Sequence, residues 1–249
     1  MPTQSLPQFL RSLGKEEIKP GGSYAANAAL ERLQLRPGEH LLVIGPGAPS
    51  SAVHIALTRR VDVCALIAHE SERVPCDDIA LKRRLSDAVG GVAALPFEKP
   101  RFDAALVEAT LAELPPAGQQ GALREIARVL KPGGRVAINE LAWRQPPTSE
   151  IEARLREVWG GPVHPLPVRG WWDQLEGAGF GNVQSDLAVV TYFTRKGMES
   201  DEGQNAANVF HAAFERPDAL ERFAQAHREF EENRRYHGVI IATAKTTKS

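Results

Sequence analysis

From His40 to Asn139 the sequence alternates short apolar runs with stretches of helical spacing, and this alternation restricts the fold more than any other feature. His40 to Gly45 reads as a buried strand, followed by the turn Gly45-Pro46-Gly47-Ala48-Pro49-Ser50-Ser51 and a helix to about Arg60. Val61 to Ala68 is a second apolar strand and Asp78 to Leu85 a short helix; Phe102 to Val107 is another strand, after a weak segment near Gly90-Gly91. Gln119 to Leu130 is an amphipathic helix closed by Lys131-Pro132-Gly133-Gly134, and Arg135 to Asn139 is the next strand. Strands that alternate with helices imply a parallel sheet covered on both faces.

Outside this span the texture differs. Ser23 to Leu35 has helical spacing and stops at Arg36-Pro37-Gly38. Beyond the loop at Pro146-Pro147, Ser149 to Trp159 and Trp171 to Ala178 read as helices, and Val183 to Thr194 and Gly238 to Lys245 as the last strands. The 249 residues suit one α/β domain, with N-terminal helices in 1–38 and a helical insertion, 196–236, between the last two strands.

With 31 acidic against 30 basic residues, no net field draws the chain to nucleic acid or an anionic membrane. No apolar run reaches about 18 residues and the N-terminus lacks a signal-peptide pattern, so a cytoplasmic location is expected. Cys64 and Cys76 form no CxxC pair and have no histidine cluster nearby, which suggests neither a disulfide framework nor a metal site.

Two segments carry a resemblance. Ala94-Leu95-Pro96-Phe97, Arg101-Phe102-Asp103-Ala104-Ala105-Leu106 and the run Leu123 to Val136 (LREIARVLKPGGRV) follow one another as do the LPF, FDxV and REhxRVLKPGG segments of the class I S-adenosylmethionine (SAM) dependent methyltransferases. Lys19-Pro20-Gly21-Gly22 and the stretch Leu35 to Gly47 are similar to that family's leading helix, LxPG turn and glycine motif. With Trp171 to Phe180 added, the chain resembles the small-molecule, UbiE-like branch over roughly residues 19 to 195. The resemblance implies a Rossmann-like seven-stranded sheet in the order 3-2-1-4-5-7-6 with strand 7 antiparallel. It also implies a SAM cleft at the carboxyl ends of the strands and a small-molecule methyl acceptor.

At the implied cofactor site the chain departs from the family pattern in four places. Val43 stands for the first acid, Pro49 for the third glycine, Ile67 for the ribose carboxylate and Gly91 for the adenine aspartate. The cofactor contacts implied are Gly45, Pro46, Gly47, Ala94, Leu95, Glu108 and the end of strand two at Ile67, where His69 or Glu70 would replace the missing carboxylate. Glu108 and Glu140 follow strands and are candidates to orient the acceptor or take its proton; the alternative for each is a structural hydrogen bond or cap. His211, in the insertion, is a third candidate, since lids complete active sites, and His54 a lesser one. Tyr24 and Trp143 are candidate substrate walls, with core packing the competing use. The insertion closes the acceptor side, bringing His211 and Phe214 near Glu108 or Glu140, or presents Phe223 and Phe230 to a second copy or a partner protein, or serves only as covering. Two functions follow: small-molecule methylation, or a fold that has lost SAM and binds another ligand or protein.

Overall fold

The computed structural model describes residues 4–16, 18–73 and 78–247, so Cys76 lies outside the described residues; Cys64 is buried and unbridged. The chain begins with α1 (Leu6–Ser12) and α2 (Gly22–Arg32). Then come β1 (His40–Ile44), α3 (Ala48–Arg59), β2 (Asp62–Ile67), α4 (Ile79–Lys82), β3 (Leu85–Val89), β4 (Phe102–Glu108), α5 (Pro116–Val129) and β5 (Leu130–Trp143). The remainder is α6 (Ser149–Trp159), β6 (Leu166–Pro167), α7 (Val168–Gly177), β7 (Phe180–Ala188), α8 (Arg195–Glu202), α9 (Asn205–Phe214), α10 (Pro217–Glu232) and β8 (His237–Thr246).

The sheet runs β3-β2-β1-β4-β5-β8-β7, with β8 antiparallel to both neighbours. This is the expected order with one addition, the two-residue β6 paired beside β5. Boundaries shift where side-chain pattern alone is ambiguous. The weak third strand is Leu85–Val89, ahead of Gly90-Gly91. Lys131-Pro132-Gly133-Gly134 bulges from the start of β5 between the pairs Phe102↔Leu130 and Ala104↔Arg135, with Gly133 at φ 70°. The strand read as Val183 to Thr194 starts at Phe180 and stops at Ala188; beyond it Thr191 N–H donates to the Pro20 carbonyl, which turns the chain off the sheet.

Side-chain alternation along the strands decides which residues meet which helices. Leu42, Ile44, Leu66, Ala105, Val107, Val136 and Ile138 pack on the face that carries α1, α5, α6, α7 and α10. Leu41, Val43, Ala65, Ile67, Leu106 and Ala137 pack on the face of α2 and α3. The family-like motif segments hold this frame. Glu125 accepts a hydrogen bond from Leu95 N–H, and Arg128 donates to the carbonyls of Phe97 and Leu95, fastening the Ala94–Phe97 segment to α5. Asp103 accepts from His40 N–H and Lys131 at the opposite end of the sheet from the strands' carboxyl ends.

The insertion is an ordered helical arm, and its apolar stripe turns inward. Phe230 stacks on Phe193 at 5.6 Å and Phe223 meets Phe193 edge-on at 5.3 Å, so the two rings expected to face another chain are buried against their own. His237 Nε2 lies 2.9 Å from Glu229 Oε1, and Asn233 donates to Glu229 Oε2 at 2.8 Å, which pins α10 to β8 through a buried polar cluster. At its other end the arm grips the N-terminal segment. Lys15, fully buried, pairs with Glu202 at 3.1 Å and Asp201 at 3.4 Å, and Asp201 also accepts from Ser23 N–H. Removing one partner of a buried pair leaves the others uncompensated, so Lys15→Ala should lower unfolding stability by about 3 kcal/mol in a denaturant titration, well beyond any surface lysine variant.

Candidate active site

A cavity of about 290 Å³ lies at the carboxyl ends of β1, β2 and β4, beneath α1. Ile44 and Leu66 form its floor, the Gly45-Pro46 turn one wall, and Gly90 and Val92 the side beyond β2. Ala109, Thr110 and Glu113 close the β4 end, and Gln8 and Arg11 reach in from α1. A shallower hollow of about 470 Å³ adjoins it and shares Arg11, Pro46 and Glu72.

Gly45 is fixed by its neighbour strand. It has φ 147°, and a β-carbon there would sit 2.3 Å from the Glu108 carbonyl oxygen, so no other residue permits this approach of β1 to β4. Pro49 falls in the first turn of α3, where the lost N–H costs no helical hydrogen bond. Across the cleft, Ala109 adopts φ 49°, a left-handed conformation that costs an alanine roughly 1–2 kcal/mol and turns the chain out of β4.

Glu140 holds that turn. Completely buried, it accepts hydrogen bonds from the N–H groups of Thr110 (2.8 Å), Leu111 (2.9 Å) and Ala112 (3.2 Å), capping the 3₁₀ turn Leu111–Glu113. Burial outweighs these three donors and pushes its carboxyl up to about 8. Glu113, at the end of the same turn, accepts a hydrogen bond from Trp159 Nε1 at 3.1 Å, and burial raises its pKa as well.

The sequence candidates divide sharply. Gly45 and Pro46 line the cavity; Gly47 caps α3 just behind it. Ile67 and Glu108 lie on the α2–α3 face by strand alternation, while the cavity opens on the face of Ile44 and Leu66. Glu108 accepts from Asn139 Nδ2 at 3.1 Å, a structural hydrogen bond. Glu140 is likewise a structural cap sealed from the cavity. Leu95 is buried in the core, Ala94 bridges to Gly91, and neither lines the cavity. His211 is a correction: its side chain is 73% exposed and pairs with Glu215, and Phe214 is 67% exposed, because the arm buries its other face. Tyr24 is 75% exposed, and Trp143 packs in the core beside His237.

The carboxylate at the end of β2 is Glu72, which sequence reading passed over for Glu70 and His69. A 3₁₀ turn, Glu70–Glu72, separates them. Arg73 holds exposed Glu70 outward, while Glu72 accepts from Ala68 N–H at 3.2 Å and lines the cavity; His69 is exposed. Glu113 and Arg11 were also missed; the signal for Glu72 was a second carboxylate in the same short loop, and for Glu113 its place two residues before Pro115 in the turn after β4.

Known proteins match this architecture. A methyltransferase domain model matches residues 43–138. An uncharacterized protein of Haemophilus influenzae is 26% identical over 199 residues, covering 78% of this chain and 79% of that protein. The 27-O-demethylrifamycin SV methyltransferase of Amycolatopsis mediterranei is 31% identical over 181 residues, covering 69% of this chain and 65% of the enzyme. Among solved structures, the [4+2]-cyclase SpnF superposes with a TM-score of 0.71 at 22% identity, covering 97% of this chain and 92% of that one. The phosphoethanolamine N-methyltransferase 2 of Haemonchus contortus, solved with S-adenosyl-L-methionine, superposes with a TM-score of 0.73 at 18% identity, covering 96% of this chain and 56% of that one. Residues 43–138 thus match a methyltransferase domain, and the fold is that of the class I SAM-dependent methyltransferases.

Glu140 gives this fold a measurable pH signature. Its folded pKa, about 8, exceeds its ordinary value of 4.5, so the stability present below pH 4.5 is lost as pH rises toward 8. The loss should be on the order of 4 kcal/mol across that window. In Glu140→Gln this part of the slope should disappear, as read from chemical unfolding at a series of pH values.

Proposed function

We propose that the cleft binds SAM and that the chain is a cytoplasmic enzyme transferring a methyl group from it to a small molecule. The observation that carries this is Glu72, a carboxylate at the end of β2 inside the cavity, where the family pattern places the group that holds the ribose hydroxyls.

The remaining donors and walls fit the rest of such a ligand. Leu66, Gly90 and Val92 form an apolar slot for a flat base, and Gly91 has open space around it, so the missing aspartate leaves no obstruction. The Gly45-Pro46 turn brings bare backbone to the middle of the cavity, and the Arg11 guanidinium, shared with the adjoining hollow, suits a carboxylate end. SAM supplies a methyl group already attached to a good leaving group. The protein's share is to orient and to exclude water: α1 roofs the cleft, and the Lys15 ion pairs keep the segment after it in place. The reading of a fold that has lost its cofactor rested on four departures, at Val43, Pro49, Ile67 and Gly91, and Glu72 answers the one at the ribose position. The SpnF match is a reminder that this architecture serves more than one chemistry, so the cleft and its ligand decide the function.

Calorimetry of SAM and S-adenosylhomocysteine with the purified protein tests this directly. Glu72→Ala should weaken both by about 1–3 kcal/mol, roughly 5- to 150-fold, because it leaves buried hydroxyls unpaired, whereas Glu70→Ala should change neither. Failure of the unsubstituted protein to bind either compound would overturn the proposal.

A further inference from the structure

Ribose recognition accounts for one cavity carboxylate and leaves a second without a role. Glu113 lines the β4 end of the cavity that Glu72 lines at the β2 end, with the Gly45-Pro46 turn between them. It is held in place from behind. Trp159, 1% exposed in the core on α6, donates its indole N–H to Glu113 Oε1 at 3.1 Å, and the 3₁₀ turn that carries Glu113 is itself fixed by Glu140. A side chain so restrained keeps its charge at one position instead of following solvent.

We propose that Glu113 sets the preference of the cleft for the cationic cofactor over its neutral product. Ionised Glu113 attracts the sulfonium of SAM and offers no comparable attraction to the uncharged thioether of S-adenosylhomocysteine. The two ligands share adenine, ribose, ammonium and carboxylate, so a fixed negative charge at this end of the cavity separates them by the one feature in which their charge differs. Ligand held before transfer is therefore released more readily after it. The inference rests on the reading of the cleft as a SAM site.

Burial gives the discrimination a pH dependence. The Glu113 carboxyl is raised by desolvation, opposed by the Trp159 hydrogen bond, so it gains its charge at higher pH than an exposed glutamate. Around it stand Glu140 on β5, Tyr192 in the segment after β7, Glu72 beyond β2 and Arg11 on α1, with His164 after α6 bonded through its backbone N–H to the Ala112 carbonyl. Glu140 titrates as well, and only substitution at position 113 separates the two groups. By linkage, the factor by which ionisation of Glu113 favours SAM equals the factor by which SAM raises the Glu113 acid dissociation constant, that is, lowers its pKa.

The test is the ratio of SAM to S-adenosylhomocysteine affinity, measured by calorimetry from pH 5.5 to 8.5 on the unsubstituted protein and on Glu113→Gln. Glutamine keeps the oxygen that accepts the Trp159 hydrogen bond, and a thermal unfolding scan checks that the variant is folded. In the unsubstituted protein the ratio should rise with pH and exceed that of Glu113→Gln by about tenfold at pH 8.5, the effect of one charge pair roughly 10 Å apart at an effective dielectric constant of about 20. In the variant the part of the rise due to Glu113 should be gone, leaving only what the Glu140 titration contributes. A carboxyl ¹³C titration of the unsubstituted protein provides the reciprocal reading: SAM should lower the Glu113 pKa by about one unit and S-adenosylhomocysteine should not. Two ligands that bind with a ratio indifferent to the substitution at every pH, or a Glu113 pKa indifferent to SAM, would overturn the inference. If neither ligand binds, the reading of the cleft falls first and the inference with it.

Discussion

Where β1 and β4 end, their backbones approach so closely that a methyl group on residue 45 would collide with the Glu108 carbonyl oxygen. That contact fixes the floor of the cleft. It sends β1 into its turn at Gly45-Pro46, and on the other strand it is followed at once by the left-handed Ala109 and the 3₁₀ turn capped by Glu140. Three hydrogen bonds to the Glu140 side chain hold the turn that follows the unusual backbone at Ala109, and they recover part of the cost of burying that carboxyl. Ionisable groups that look catalytic in a sequence are here used to hold a loop.

The roof is built differently. It consists of a short helix from the beginning of the chain, held down by α8 from near its end, and its strongest ties are ionic: Lys15 to Asp201 and Glu202. The arm that supplies these acids is secured by aromatic stacking on Phe193 and by the buried Glu229, Asn233 and His237 cluster. A rigid floor under a separately anchored roof suits a ligand that must enter, be shielded from water and leave.

The order of the strands was legible because hydrophobic period and turn residues are local properties, and the motif run from Ala94 to Val136 carries its own packing partners in Glu125 and Arg128. The cleft was legible only at Gly45 and Pro46. Strand alternation explains much of the loss: Ile67 and Glu108 sit beside the right strand ends but on the face of α2 and α3, one residue out of phase with Ile44 and Leu66. Three-dimensional turns explain more, since the 3₁₀ turn after β2 exchanges the expected Glu70 for Glu72, and the turn after β4 brings in Glu113. His211 and Tyr24 were misplaced because an amphipathic helix does not state, in its own sequence, which neighbour its polar face will meet.

The tie between Lys15 and Asp201 spans 186 residues, and this separation bears on how the protein comes into being. A chain emerging from the ribosome at about 5–20 residues per second leaves its first segment waiting roughly 10–40 s before the acids that hold it exist. Through that interval the strands from β1 to β5 can pair, as the partners that join them to one another all lie between residues 40 and 143. The roof is thus assembled last, over a floor already in place. During biosynthesis the nascent domain passes through a stage with its ligand groove open, and a cofactor arriving then finds a site with no barrier to entry.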